Sequence, residues 1–119
     1  MAVDDDHVIR GLLEVNLEME GHEVLTAVDG ADALRKVAEA RPDLILLDVM
    51  MPNVNGWQVA EALKSDENYR DIPIVFLSAR AMEADVRKGN ELGVQAYVTK
   101  PFDPIDLMEM VNRLIAEHT

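Results

Sequence analysis

The 119-residue chain has no cysteine, which excludes a disulfide scaffold, a thiolate metal site and a cysteine nucleophile. Aromatic residues are scarce, with one Trp, two Tyr and two Phe, too few for a platform that stacks nucleobases. Basic residues are outnumbered, 11 Lys and Arg against 23 Asp and Glu, for a formal net charge of −12. A chain of that sign does not grip nucleic-acid phosphates by itself. No apolar run approaches the ~20 residues of a membrane span, and no signal peptide is expected before Asp4. Repeats, low-complexity tracts and Pro/Gly/Ser-rich linkers are missing too. The expectation is one domain over residues 1–119, cytoplasmic, with neither nucleic acid nor membrane as a direct partner. Surface scaling gives a chain of this mass a folded area of roughly 6,400 Å² against about 19,000 Å² unfolded, so a core forms without staples.

What the chain does have is an alternation of short apolar runs with helical patterns. Val3 closes a very short first run. From His7 to Met19 the residues Val8, Ile9, Leu12, Leu13, Val15 and Leu17 fall at helical spacing, and Gly21 ends that helix. His22 to Val28 reads as an edge strand. Asp29 caps a second helix with Leu34, Val37 and Ala38 inward and Pro42 beyond its end. Leu44-Ile45-Leu46-Leu47 runs into Asp48, and Ile72 to Leu77 runs into Ser78; unbroken apolar runs suit strands covered on both faces of a parallel sheet. Between them, Val59, Ala60 and Leu63 mark a third helix opening near Gly56. A weaker fourth helix spans 81 to 92, with only Met82, Val86 and Leu92 to face inward. Ala96 to Thr99 is a fifth strand, and Asp103-Pro104 caps and opens a last helix with Leu107, Met108, Val111, Leu114 and Ile115 inward. Five strands alternating with five helices predict a doubly wound α/β three-layer sandwich, whose ligands bind beyond the carboxyl ends of the strands.

The residues just past the apolar runs are Asp4-Asp5-Asp6, Asp48, Ser78 and Lys100; the second strand offers nothing comparable. Singly, each has a plain reading as a solvated acid, a turn former or a helix cap. Together they place acids, a hydroxyl and an amine on one rim. Carboxylates crowded there cannot all stay ionised without a counter-charge. A divalent cation supplies it, and an all-oxygen set with room for phosphate suits Mg²⁺, with Asp5 and Asp48 as ligands. Lys100 adds a point charge for a phosphoryl oxygen and Ser78 a hydroxyl donor. A carboxylate nucleophile between a metal and a lysine describes a phosphoryl-transfer site.

These residues sit in segments that match a family. Val3-Asp4-Asp5-Asp6, the run Leu46 to Gly56, Phe76-Leu77-Ser78-Ala79-Arg80 and Tyr97-Val98-Thr99-Lys100-Pro101-Phe102 together resemble the receiver (CheY-like) domain of two-component response regulators, in order and over essentially the whole chain. The resemblance implies a flavodoxin-like (βα)5 fold with a parallel sheet of order 2-1-3-4-5. It implies that Asp48 takes a phosphoryl group from a histidine kinase or phosphotransfer protein. It implies Mg²⁺, or Mn²⁺ in its place, held by Asp5, Asp48 and the Met50 backbone carbonyl, with Asp4 acting through water. Ser78 resembles the switch hydroxyl, Tyr97 the aromatic that follows it inward, and Lys100 the phosphate partner joined to Pro101 by a cis bond. The output would run through the face of helix four, strand five and helix five to an output domain or protein. Met50 and Arg80, two positions past Asp48 and Ser78, would flank the hydrolytic water and tune dephosphorylation.

Two departures from the family stand out. Only Met1, Ala2 and Val3 precede the acids, where a strand of about five residues is usual. Gln95-Ala96 stands where one subclass of DNA-binding regulators carries two acids used in a salt-bridged dimer, so that dimer is not expected. Three other readings compete. A haloacid-dehalogenase-type phosphatase needs a second Asp two residues past its nucleophile, and Met50 cannot transfer a proton. A pseudo-receiver usually lacks the acceptor, the acids or the lysine, all present here. A flavodoxin-like electron carrier needs a hydroxyl-rich phosphate loop after the first strand, and none follows Val3.

Overall fold

The computed structural model describes residues 1–51, 53–79 and 83–118. In chain order the elements are β1 (Ala2–Val3), α1 (His7–Met19), β2 (Thr26–Ala27), α2 (Gly30–Glu39), β3 (Ile45–Asp48), α3 (Gly56–Lys64), β4 (Ile74–Ser78), α4 (Glu83–Leu92), β5 (Ala96–Thr99) and α5 (Pro104–Glu117). The strands are parallel and ordered β2-β1-β3-β4-β5, the expected doubly wound fold. The exposed surface, 6517 Å², matches the area that scaling predicts for a packed chain of this mass.

Alternation along the inner strands divides the core in two. Val3, Ile45, Leu47, Ile74 and Phe76 face a cluster with Ala33 and Val37 of α2 and Val59, Ala60 and Leu63 of α3. Ala2, Leu46, Val75 and Leu77 face the other way, against Leu13 and Leu17 of α1 and Leu107, Met108, Val111 and Leu114 of α5. Each of the larger side chains contributes about 1.5–3 kcal/mol by burial, so β3 and β4, buried at every position, are the rigid centre. The helix starts follow sequence signals: Asp6, Asp29 and Asp103 cap α1, α2 and α5, with Pro104 in the first turn of α5. Gly21, at φ +87°, ends α1 with its N–H on the Glu18 carbonyl.

Three expectations are corrected. The second strand, expected over His22 to Val28, pairs only at Thr26–Ala27. An edge strand is as long as its neighbour allows, and β1 offers it two residues. Below that pair an open groove of about 910 Å³ is lined by Met1, Leu17, Leu25, Pro42, Leu44 and Ile115, among others. In α1 only Leu13 and Leu17 are buried, while Val8, Leu12, Val15 and Met19 face solvent. Apolar residues placed around the helix at 100° steps cannot all reach one sheet face. In α2, Ala33 is buried and Ala38 exposed, with Leu34 half-buried as a flank. The expected start of the fourth helix at 81, and Met82 as its inner residue, lie outside the described residues; Val86 and Leu92 are half-buried.

Candidate functional site

Among the described residues, the buried polar ones are Asp4, Asp48 and Ser78, and all three stand at carboxyl ends of strands. Buried carboxylates are rare unless paired, and these are paired. Lys100, which follows β5, places Nζ 2.9 Å from Asp4 Oδ2 and 3.3 Å from Asp48 Oδ1. One cation thus joins the ends of β1 and β3 across the sheet. The Lys100–Pro101 peptide is cis, as expected, and the Lys100 N–H donates to the Ser78 carbonyl at 2.7 Å.

Asp4, Asp5 and Asp48 each offer a carboxylate oxygen within 4.8 Å of the others, Asp5 exposed and the other two buried. An all-oxygen set with one open side fits a small hard cation, so these residues could hold a divalent metal. Asp6, the third acid of the run, stands apart: its carboxylate accepts from the Val8 and Ile9 N–H groups as the cap of α1.

The electrostatics follow from burial. Asp48 is pushed up to about 6, first by burial and then by the neighbouring Asp4 charge, with Lys100 and the Met50 N–H pulling the other way. Burial works against the charge of Lys100, but its bond to Asp4 and the Asp48 and Asp4 carboxylates outweigh it and hold the amine above its usual range. Without a metal, the rim is short of positive charge.

The frame around Asp48 is tight. The Met50 N–H points to Asp48 Oδ1 at 3.3 Å, and the Met50 side chain is exposed. Gly56 opens α3 with its N–H on the Val49 carbonyl at 3.0 Å. A Cβ there would lie 2.5 Å from the Asp48 carbonyl oxygen and 2.7 Å from the Val49 Cα. Asn53 takes a left-handed turn (φ 63°) in the loop between them. Ser78 is buried at the end of β4, one residue past Leu77, the register partner of Asp48.

Tyr97, on β5, packs against Phe76 (ring centroids 6.0 Å apart) and Trp57 (6.3 Å). Lys88 of α4 covers Trp57 at 4.6 Å from the ring centroid. Trp57 was not singled out from the sequence; its place just after Gly56, at the mouth of α3, was the available signal. Arg80 lies outside the described residues. Gln95 secures β4, its side-chain oxygen accepting from the Ile74 N–H at 2.8 Å and its own N–H donating to the Ile74 carbonyl at 2.9 Å.

With this geometry established, comparison with known proteins is decisive: the profile of the response regulator receiver domain matches residues 1–112. The chain belongs to that family. This receiver domain is 34% identical to the protein PilG of Pseudomonas aeruginosa over all of the chain and 88% of PilG. It is 39% identical to the DNA-binding dual master transcriptional regulator RpaA of Synechocystis over 97% of the chain but 48% of RpaA, so it spans under half of that relative. The Vibrio cholerae chemotaxis protein CheY4 superposes with a TM-score of 0.89 at 34% identity, covering 95% of this chain and 94% of that one. The receiver domain of the Francisella response regulator 1452 superposes at 0.92 with 30% identity, covering 99% and 96%. As a receiver domain it is a phosphoacceptor module of two-component signalling. No described helix is long and apolar enough to cross a membrane.

Proposed function

We propose that Asp48 is the phosphoacceptor of this receiver domain. Its carboxylate oxygen attacks the phosphorus of a phosphohistidine on a histidine kinase or phosphotransfer protein; an O–P bond forms as the donor's N–P bond breaks. The observation that carries the reading is the rim itself: Lys100 Nζ lies within 3.3 Å of Asp48 and 2.9 Å of Asp4, beside three carboxylates gathered within 4.8 Å. Asp5, Asp48 and the Met50 carbonyl would hold Mg²⁺, or Mn²⁺, with Asp4 linked through water. The bound ion would neutralise the carboxylates and a phosphoryl oxygen, which is most of what phosphoryl transfer asks of a site. Lys100 takes a second phosphoryl oxygen and Ser78 a third.

The signal leaves through α4, β5 and α5, with Ser78 drawn toward the phosphoryl group and Tyr97 following, and reaches an output domain or protein. The domain acts in the cytoplasm and catalyses only its own phosphorylation and slow dephosphorylation. Met50, apolar and unable to orient water, and Arg80 slow that hydrolysis. The test is acetyl phosphate with Mg²⁺ followed by intact-mass spectrometry. One phosphoryl group is expected on the parent chain, none on Asp48→Asn, and none on the parent when the metal is chelated. Equal phosphorylation of the Asn variant overturns the assignment.

A further inference from the structure

The turn that carries the acidic pair is held by a residue not so far given a role. Arg10, in the first turns of α1, donates from Nη1 to the Asp4 carbonyl oxygen at 2.8 Å. That carbonyl belongs to the peptide joining Asp4 to Asp5. The other ties in the turn act elsewhere. Asp4 Oδ1 accepts from the Asp6 N–H at 2.9 Å, the Asp4 N–H donates to the Ala27 carbonyl at 3.2 Å, and Asp6 is occupied with capping α1. Among the described residues, the Arg10 bond alone reaches the N–H or C=O of the Asp4–Asp5 peptide. The Asp5 Cα lies between that peptide and the next, which the Asp6 N–H ties to Asp4 Oδ1, so Arg10 holds one of the two peptides that aim Asp5. Asp4 and Asp48 are buried, with their carboxylates on Lys100, whereas Asp5 is exposed and, among the described residues, has no such cation to direct it.

We propose that Arg10 is a positioning residue, fixing the Asp4–Asp5 peptide so that the Asp5 carboxylate faces the cation site it shares with Asp4 and Asp48. The inference rests on the reading that this cluster holds a divalent metal. It is separable from a charge effect because the two have opposite signs. A guanidinium beside a cation site repels the cation, so a purely electrostatic Arg10 weakens metal binding and its removal tightens it. A positioning Arg10 strengthens binding despite its charge, as partners that orient metal ligands do elsewhere.

The experiment is Mg²⁺ calorimetry on the full chain for the parent, Arg10→Met and Arg10→Lys, with amide NMR spectra recorded before metal is added. Met keeps the apolar stem and high helix propensity, so α1 folds, and the amide spectra check that no unfolded fraction is present to weaken the apparent affinity. The Met variant is expected to bind Mg²⁺ about tenfold more weakly, and the Lys variant, which restores a donor and the charge, to stay close to the parent. The Asp5 and Asp6 amide resonances are expected to move in the metal-free Met variant. A Met variant that binds as tightly as the parent, or more tightly, overturns the role of Arg10 and leaves the metal reading intact. A parent chain that takes up no Mg²⁺ overturns both.

Discussion

Helices α3 and α4 lie on the same side of the sheet and are held in opposite ways. Helix α3 opens with a reciprocal capping box between Asn55 and Gln58 and buries Gly56, Val59, Ala60 and Leu63. Its first residue sits directly on the backbone of Asp48. In α4, among residues whose side chains are described, the one buried position is Gly89, and Val86 and Leu92 are only half-buried. Among the described contacts of α4 are the half-buried Leu92 on the core, a close approach at Gly89, where a Cβ would lie 3.2 Å from Val94 Cγ2 and 3.6 Å from the Phe76 and Tyr97 rings, and Lys88 over Trp57. The difference separates two jobs. The acceptor needs a frame that does not move, and a readout needs an element that shifts at low cost.

Exchanging one glycine in each helix breaks the comparison most directly. Gly56→Ala puts a methyl against backbone that cannot yield, and about 2–3 kcal/mol of destabilisation is expected, with loss of phosphorylation at Asp48. Gly89→Ala meets movable side-chain atoms, and the gain in helix propensity, up to about 1 kcal/mol, offsets the crowding. Its net effect is expected within about 1 kcal/mol of zero. Urea unfolding of both variants measures this, and a Gly89→Ala cost equal to that of Gly56→Ala would show α4 to be as firmly seated as α3.

The frame also carries an electrostatic cost that pH can reveal. In the folded, metal-free chain Asp48 titrates at about 6, against 3.8 as an ordinary carboxyl. The folded state therefore binds the proton more tightly, and the stability that protonation provides falls as pH rises from about 4 through 6. Asp48→Asn has no charge to bury. At pH 7.5 in chelator it is expected to be more stable than the parent by about 1–3 kcal/mol, with the gap closing near pH 3.5 and also narrowing when Mg²⁺ binds the parent. Equal stability of the two chains at every pH would mean that the ionised rim is not under strain.

Much of this architecture was legible because it is local. The runs ending in Asp48 and Ser78 are unbroken, and a residue past the end of a parallel strand faces the ligand edge whatever else the chain does. The caps at Asp29 and Asp103 were readable for the same reason. The features that were not legible depend on partners distant in sequence. The length of β2 is decided by β1, and the outward face of Val8, Leu12 and Val15 by where α1 meets the sheet. The hold of Lys88 on Trp57 spans 31 residues by number and has no periodic signature. Nothing in the spacing of Arg10 announces its bond to the carbonyl of Asp4.

The smallest effect is also the sharpest test of what α4 is for. Lys88 over Trp57 is a surface cation–π contact, worth about 0.5–1 kcal/mol, so Lys88→Gln is expected to lower global stability by no more than that. Its consequence for switching is larger than its cost suggests. If α4 exchanges between a docked and a shifted position, removing a contact made only in the docked one favours the shifted one by the same free energy, about a two- to fivefold change in their ratio. Beryllofluoride, a phosphoryl mimic, is expected to move amide resonances over residues 83 to 99 in the parent, with those of α3 nearly still. In Lys88→Gln the resonances of residues 83 to 99 are expected to lie part-way to their beryllofluoride positions before the mimic is added. Trp57, the sole tryptophan, should report the same displacement by fluorescence. Shifts confined to the rim around Asp48, or shared equally by α3, would deny that the weakly held helix is the one that carries the signal.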